Sequence, residues 1–318
     1  MKTYIFSRSL GLALLAITLA ASAQAASYSI YPFEKSPEAN ADATARLARQ
    51  YLGTVELQTI QRTQDTLYLS SPKDNSTHIE LNVVNGEFRF ERGLKRYLGE
   101  FVPKLPSTKE VGDLSLGFLK QNGLLPKNTA ELKLAHIGGL RAQSLIDGKN
   151  AGPIIDKLIT VTYTRLVDGL PVIGPGSKLV LQIGDRGEVV GLIRHWRELN
   201  VANRKEISRA DLIDENEAYD LAKRQILSEF GKDAVFEVCG KGPAYYDNSG
   251  GILQPVYIFE TEVITIDDSV VPTKYLAVIP LLRNSPEPLA LTALDPKAKE
   301  LIRNVQSRTT PPRHVGDE

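Results

Sequence analysis

The chain changes period several times along its length. Pro37 to Tyr51 has helical composition, with Leu47 and Tyr51 four residues apart and Gly53 to stop it. Strand character follows at Thr54–Thr63, Thr66–Ser70, Thr77–Val84 and Glu87–Phe90, separated by the polar turns Ser71–Asn75 and Asn85-Gly86. Asn-Gly between alternating segments is a strong hairpin signal. A second helix is predicted from the capping box Ser107-Thr108-Lys109-Glu110 through Leu114, Phe118 and Leu119 to Gly123. Strands are then predicted at Glu131–Ile137, Leu158–Leu166, Lys178–Ile183 and Glu188–Arg197, with Asp185-Arg186-Gly187 as a tight turn. The plan repeats once more. Asp214-Glu215-Asn216-Glu217 caps a helix whose face is Ala218, Leu221, Ala222, Gln225 and Ile226, ending at Gly231. Strands follow at Ala234–Cys239, Pro243–Asp247, Leu253–Val263 and Lys274–Leu282.

A helix followed by a run of strands, three times over, predicts an α+β fold. It would consist of repeated modules, each with one helix packed on an antiparallel sheet. The expected organisation is a signal peptide at 1–25, an N-terminal α+β module at 26–105, further modules at 106–200 and 201–300, and a disordered tail at 301–318. The leader reading rests on Lys2 and Arg8, the apolar run Leu10–Ala20, and small-x-small cleavage sites at Ala21-Ser22-Ala23 and Ala23-Gln24-Ala25. That run is shorter than the roughly 20 residues a membrane span needs. The mature chain is therefore expected to be secreted or periplasmic, with no membrane span.

Composition narrows the function classes. Lys plus Arg number 38 and Asp plus Glu also 38, so no overall field draws the chain toward nucleic acid or an anionic membrane. Cys239 is the single cysteine, which excludes an intramolecular disulfide. Its place in a predicted strand implies a buried, structural thiol. Asn75-Ser76-Thr77 matches a glycosylation sequon in a polar turn and reads as a loop in a bacterial protein.

The motifs for catalysis are thin. His78, His136, His195 and His314 do not fall at metal-ligand spacing, and H-E-x-x-H does not occur. No serine lies in G-x-S-x-G, and Cys239 lacks a papain-like context. Gly174-Pro175-Gly176-Ser177-Lys178 misses the phosphate-loop spacing and reads as a hairpin loop whose glycines permit positive φ. Asp267-Asp268 and Asp214-Glu215 read as a polar turn and a helix cap. Arg194-His195-Trp196-Arg197 is the most unusual cluster. One reading is an exposed Trp flanked by Arg, fit to grip a peptide or sugar. The other is a strand end whose Trp caps the core while the arginines lie in water.

Two longer patterns carry a resemblance. Tyr163-x-Arg165-x-x-Asp168-Gly169-x-Pro171-Val172 is followed by the strand Lys178–Ile183 and by Asp185-Arg186-Gly187-Glu188-Val189-Val190. Leu253-x-Pro255-x-Tyr257-x-Phe259 is a second such strand. From Ser107 to Leu282 the chain resembles the FTP and PepSY modules found in the propeptides of thermolysin-like secreted proteases. Those modules chaperone and inhibit the zinc protease that follows them, and they supply no catalytic residue. No zinc motif follows here.

The resemblance implies a non-enzymatic exported binding or regulatory protein, without cofactor or metal, acting on a protein partner such as an exported peptidase in trans. Its expected contact residues are Asp168, Pro171, Lys178, Arg194, Trp196 and Arg197, with an exposed strand edge taking extended peptide by β-augmentation. Two alternatives stay open. One is the prodomain-like part of a larger precursor. The other is an enzyme of unrecognised type centred on His195.

Overall fold

A computed structural model of the chain describes residues 27–34, 38–52, 61–63, 65–71, 76–146, 150–264, 273–287 and 289. The leader, Asn75 of the sequon, Asp267-Asp268, His314 and the tail from Arg303 lie outside the described residues. The chain divides into two compact units. One comprises the described residues up to Ile207 together with Ala244–Gln254; the other comprises Ser208–Pro243 and the described residues from Pro255 onward.

The first unit begins with β1 (Ser29–Pro32) and α1 (Glu38–Leu47), which widens into a π-helical turn at Ala48–Leu52. An antiparallel meander follows: β2 (Gln61–Thr63), β3 (Thr66–Ser70), β4 (His78–Asn82) and β5 (Phe88–Glu91). A one-turn helix α2 (Lys95–Leu98) leads to α3 (Thr108–Gln121). The capping box forms as predicted: the Ser107 hydroxyl accepts from Glu110 N, and Ser107 N donates to Glu110 Oε2 at 2.8 Å. Val111, Ser115 and Leu119, spaced by four, are the buried stripe of α3.

The remaining strands of this unit are β6 (Leu132–Ile146), β7 (Asn150–Val167), β8 (Leu170–Ile173), β9 (Lys178–Ile183), β10 (Val189–His195) and β11 (Lys205–Glu206). β7 is 18 residues long and organises the sheet. It pairs with β6, with β9 and with β8, all antiparallel. β9 pairs β10, and β10 pairs β5 with Leu192 opposite Phe90. The unit also takes one end each of β12 (Val235–Asp247) and β13 (Ile252–Ile264). Tyr245 and Tyr246 of β12 run parallel to Val172 and Ile173 of β8, and β1 lies between β11 and the start of β13.

The repeated-module plan is therefore corrected. The β2–β5 meander does not close on its own helix; β5 joins β10 and continues into β9 and β7 as one sheet. The physical cause is a shared core. Leu47, Ile79 and Phe90 from the first stretch bury together with Val111, Leu119, Val161, Leu181 and Trp196 from the second. The β8–β12 pair makes the sheet mixed, where purely antiparallel pairing was expected. The strands also outnumber the α-helices, fourteen to four among the described residues.

The second unit holds α4 (Glu215–Phe230), capped by the Asp214 carboxylate accepting from Glu217 N at 2.8 Å and closed by Gly231 at φ 103°. Ala218, Ala222 and Ile226 are its buried stripe. β13 pairs antiparallel with β14 (Thr273–Pro280), Val256 opposite Pro280 through Val263 opposite Thr273. Gln225 donates to the Tyr275 hydroxyl at 3.0 Å, and Phe230 meets the same ring edge-on. Cys239 is exposed, not buried as expected, because it falls on the outward face of β12 with Val235, Glu237 and Lys241.

Candidate functional site: an edge strand beside a helix groove

The residues expected to form a contact surface divide into two sets. Asp168 is exposed at the β7–β8 turn with φ 51°, but its carboxylate is held: Tyr31 and Tyr245 both donate to Oδ2, at 2.7 and 2.8 Å. Burial and these bonds to a carboxylate push the Tyr31 phenol up to about 12 and raise Tyr245 as well. Pro171 sits half-buried opposite Leu166. Lys178 is half-buried between Thr164 and His195, and burial lowers its ammonium against the pull of Asp247.

Arg194 and Trp196 are buried, and Arg197 is only 9% exposed at its side chain, so the cluster is not the exposed grip of the first reading. Trp196 caps the core. The arginines leave the water too, which the second reading did not expect. They belong to a buried polar network with Arg165. Arg165 donates to Ser177 Oγ at 3.1 Å and to Arg197 O at 2.6 Å, and its guanidinium lies 4.0 Å from the centre of the Trp196 ring. Its Nε is 3.0 Å from Glu131 Oε2, within ion-pair range but off the hydrogen-bond angle. Ser177 and Arg197 both donate to the buried Asp247 carboxylate, at 2.6 and 3.1 Å. Arg194 donates to Leu124 O and Trp196 O. Desolvation pulls the Arg165 and Arg194 guanidiniums down and pushes Glu131 up, with the opposite charges partly offsetting each shift.

The glycines of the 174–178 segment serve this network. A Cβ on Gly174, at φ 107°, would meet Asp247 O at 2.3 Å, and one on Gly176 would meet the Asp247 carboxyl at 2.3 Å. The segment is not a hairpin loop. β8 and β9 both run antiparallel to β7, and 174–177 is looped out between them around Asp247. His195, the centre of the enzymatic alternative, has its Nδ1 3.3 Å from Pro175 O. No group of three His, Cys, Asp or Glu could hold a metal among the described residues.

What the sequence reading missed is the length and position of β6. Its strand was expected to stop at Ile137, and β7 to start at Leu158; the two instead run on as a long hairpin, Ile146 opposite Asn150. Among the described residues β6 pairs only with β7, so its other edge carries unpaired backbone along 15 residues. Leu134 and Leu140 on β6 and Ile154 on β7 are exposed. Register shifts at Leu134/His136, Leu140/Arg141 and Gln143/Leu145 twist the edge. They leave His136–Leu140 as an even run opposite Thr162–Leu158.

Beside β6 lies a groove of about 520 Å³ against α3. It is lined by Leu116, Gly117 and Lys120 of the helix, Leu125, Thr129, and Leu132, Leu134 and Tyr163 of the sheet. Tyr163 is fixed by a 2.6 Å hydrogen bond between its hydroxyl and that of Ser115, which holds the groove floor to the helix. A sheet edge next to a groove walled by a helix can take an extended chain as a further strand: backbone pairs with backbone, and alternate side chains enter the groove.

No family model and no curated protein matches the sequence. Among solved structures, the chain is similar to an uncharacterised protein from Eubacterium rectale at 9% identity and TM-score 0.46, over 82% of this chain and 85% of that one. It is also similar to the C-terminal domain of YpeB from Bacillus megaterium at 15% identity and TM-score 0.33, over 79% of this chain and all of that domain. At these scores no family membership follows. No helix among the described residues is long and apolar enough to cross a membrane.

Proposed function

We propose that this chain is an exported, non-catalytic binding protein that takes an extended polypeptide as an extra strand on the free edge of β6. The observation that carries the reading is the 15-residue edge strand paired on one side only, with an apolar groove next to it. The leader-like N-terminus supports export, and the FTP/PepSY resemblance supports regulation of an exported peptidase in trans. Peptidases hold their substrates extended, so their clefts and flaps present the kind of backbone that an edge strand pairs with. The contact surface is thus moved from the buried Arg194–Arg197 cluster to β6 and α3.

Binders drawn from a displayed library of random ten-residue peptides, followed by hydrogen exchange on the complexes, test this. Amides within Leu132–Gln143 should slow on binding. Leu134→Glu and Leu116→Glu each place a carboxylate in the groove and should weaken binding at least tenfold. Both side chains are exposed, so thermal stability should change little. Slowed exchange confined to other segments would sink the proposal.

A further inference from the structure

We infer that the strand β6 receives is acidic: an extended segment bearing Asp or Glu at alternate positions, from a partner protein. The inference rests on the edge-strand reading above. From Leu132 to Ile146 β6 carries Lys133, His136 and Arg141 and no acidic residue. Arg141 is answered by Asp156 of β7 at 2.6 Å. Lys133 has no ion-pair partner among the described residues. Glu131, just before β6, is turned to Arg165 and does not serve the edge. In the groove, Lys120 is the sole charged residue of the lining, and it too has no ion-pair partner among the described residues.

Side chains of a strand alternate between faces, so Lys133 points away from the face that Leu132 and Leu134 give to the groove. An added strand therefore meets a free cation on each face: Lys120 on the groove side and Lys133 on the other. A second copy of β6 in that place would set basic residues against basic residues, and like charges across a strand pair are unfavourable. The groove on the other flank of α3 has the opposite character. Glu110 and Asp113 line it with Arg186, two acids to one base, and the strand it reaches, at Val189 in β10, is already paired on both sides. Among the described residues, an apolar groove, unpaired backbone and unanswered positive charge meet along β6.

Three blocked ten-residue peptides provide the test: alternating Val-Glu, Val-Gln and Val-Lys, each end-labelled for fluorescence anisotropy, with hydrogen exchange to locate them. Alternating carboxylates share one face and so reach one of the two cations in either register; that exposed ion pair should favour Val-Glu over Val-Gln by roughly two- to fivefold, and Val-Lys should bind weakest. The advantage should shrink toward parity when salt is raised to about 0.5 M, where screening shortens to a few ångströms. In Lys120→Glu/Lys133→Glu, both positions being exposed, the order of Val-Glu and Val-Lys should reverse, with circular dichroism confirming the fold. Equal affinity of Val-Glu and Val-Gln with β6 protected by both would overturn the charge preference and leave strand addition standing. Failure of all three to protect β6 would overturn both.

Discussion

Arg165 spreads one fully buried guanidinium over Ser177, the Arg197 carbonyl, Glu131 and the face of Trp196. Removing a single member of such a set strands the charges that remain, which typically costs about 3–5 kcal/mol. Arg165→Ala should therefore lower unfolding stability by about that amount, read from the shift of a urea transition followed by Trp196 emission. A loss under about 1 kcal/mol would mean that the network re-forms around water. Trp196 itself keeps its indole N–H buried without a hydrogen-bond partner among the described residues. Its placement is decided by the ring, which closes the core, and by the stacked cation above it.

At the level of elements, Gly174 shows how the polar network dictates sequence. Its φ of 107° is open to glycine, and Asp247 O occupies the space where a Cβ would stand. Gly174→Ala should destabilise the fold by about 2–3 kcal/mol through strain and overpacking, whereas Gly169→Ala, with open space at its Cβ, should lose less; comparing the two urea midpoints checks this. The helices were legible in advance because their signals are local. Ser107 with Glu110, and Asp214 with Glu217, mark helix starts within four residues; the stripe on α4 falls where the spacing puts it, whereas on α3 Leu119 is buried but Leu114 is exposed and Val111 and Ser115 take its place. The Asp185-Arg186-Gly187 turn was legible for the same reason, Arg186 and Gly187 both adopting positive φ.

The β6–β7 extension was not legible. Gly138, Gly139, Gly152 and Pro153 carry no strand signal, yet a two-stranded ribbon accepts them: Gly139 lets β6 approach Leu158 O, and register shifts absorb the irregularity. That β6 is an edge depends on which strands are absent beside it, and no residue of β6 encodes that. The arginines beside Trp196, expected in water, were misplaced for a related reason. Their surroundings come from Glu131, Arg165, Ser177 and Asp247, which are distant in the sequence.

For the whole chain the formal charges balance, 38 against 38, and pH dependence should be set by the groups whose ionisation the fold shifts. Tyr31 ionises near 12 in the fold and near 10 when unfolded, with Tyr245 raised further. Raised phenol values mean that the native state keeps protons the unfolded chain gives up. Their contribution is thus fully present below about pH 10 and is lost as pH rises toward 12. Urea midpoints should fall across that interval, and the fall should be shallower in Tyr31→Phe/Tyr245→Phe; identical slopes would exclude these two phenols as the cause. The pairing of Phe90 with Leu192 has a consequence for how the chain is made. As it emerges during synthesis, the β2–β5 meander is complete early, yet the strand that covers β5 is about a hundred residues away. Until that strand arrives, β5 is an open template, and closing so long a loop is slow. Such a nascent chain stays adhesive for much of its synthesis, which favours a route that keeps it unfolded until the last partner is in hand.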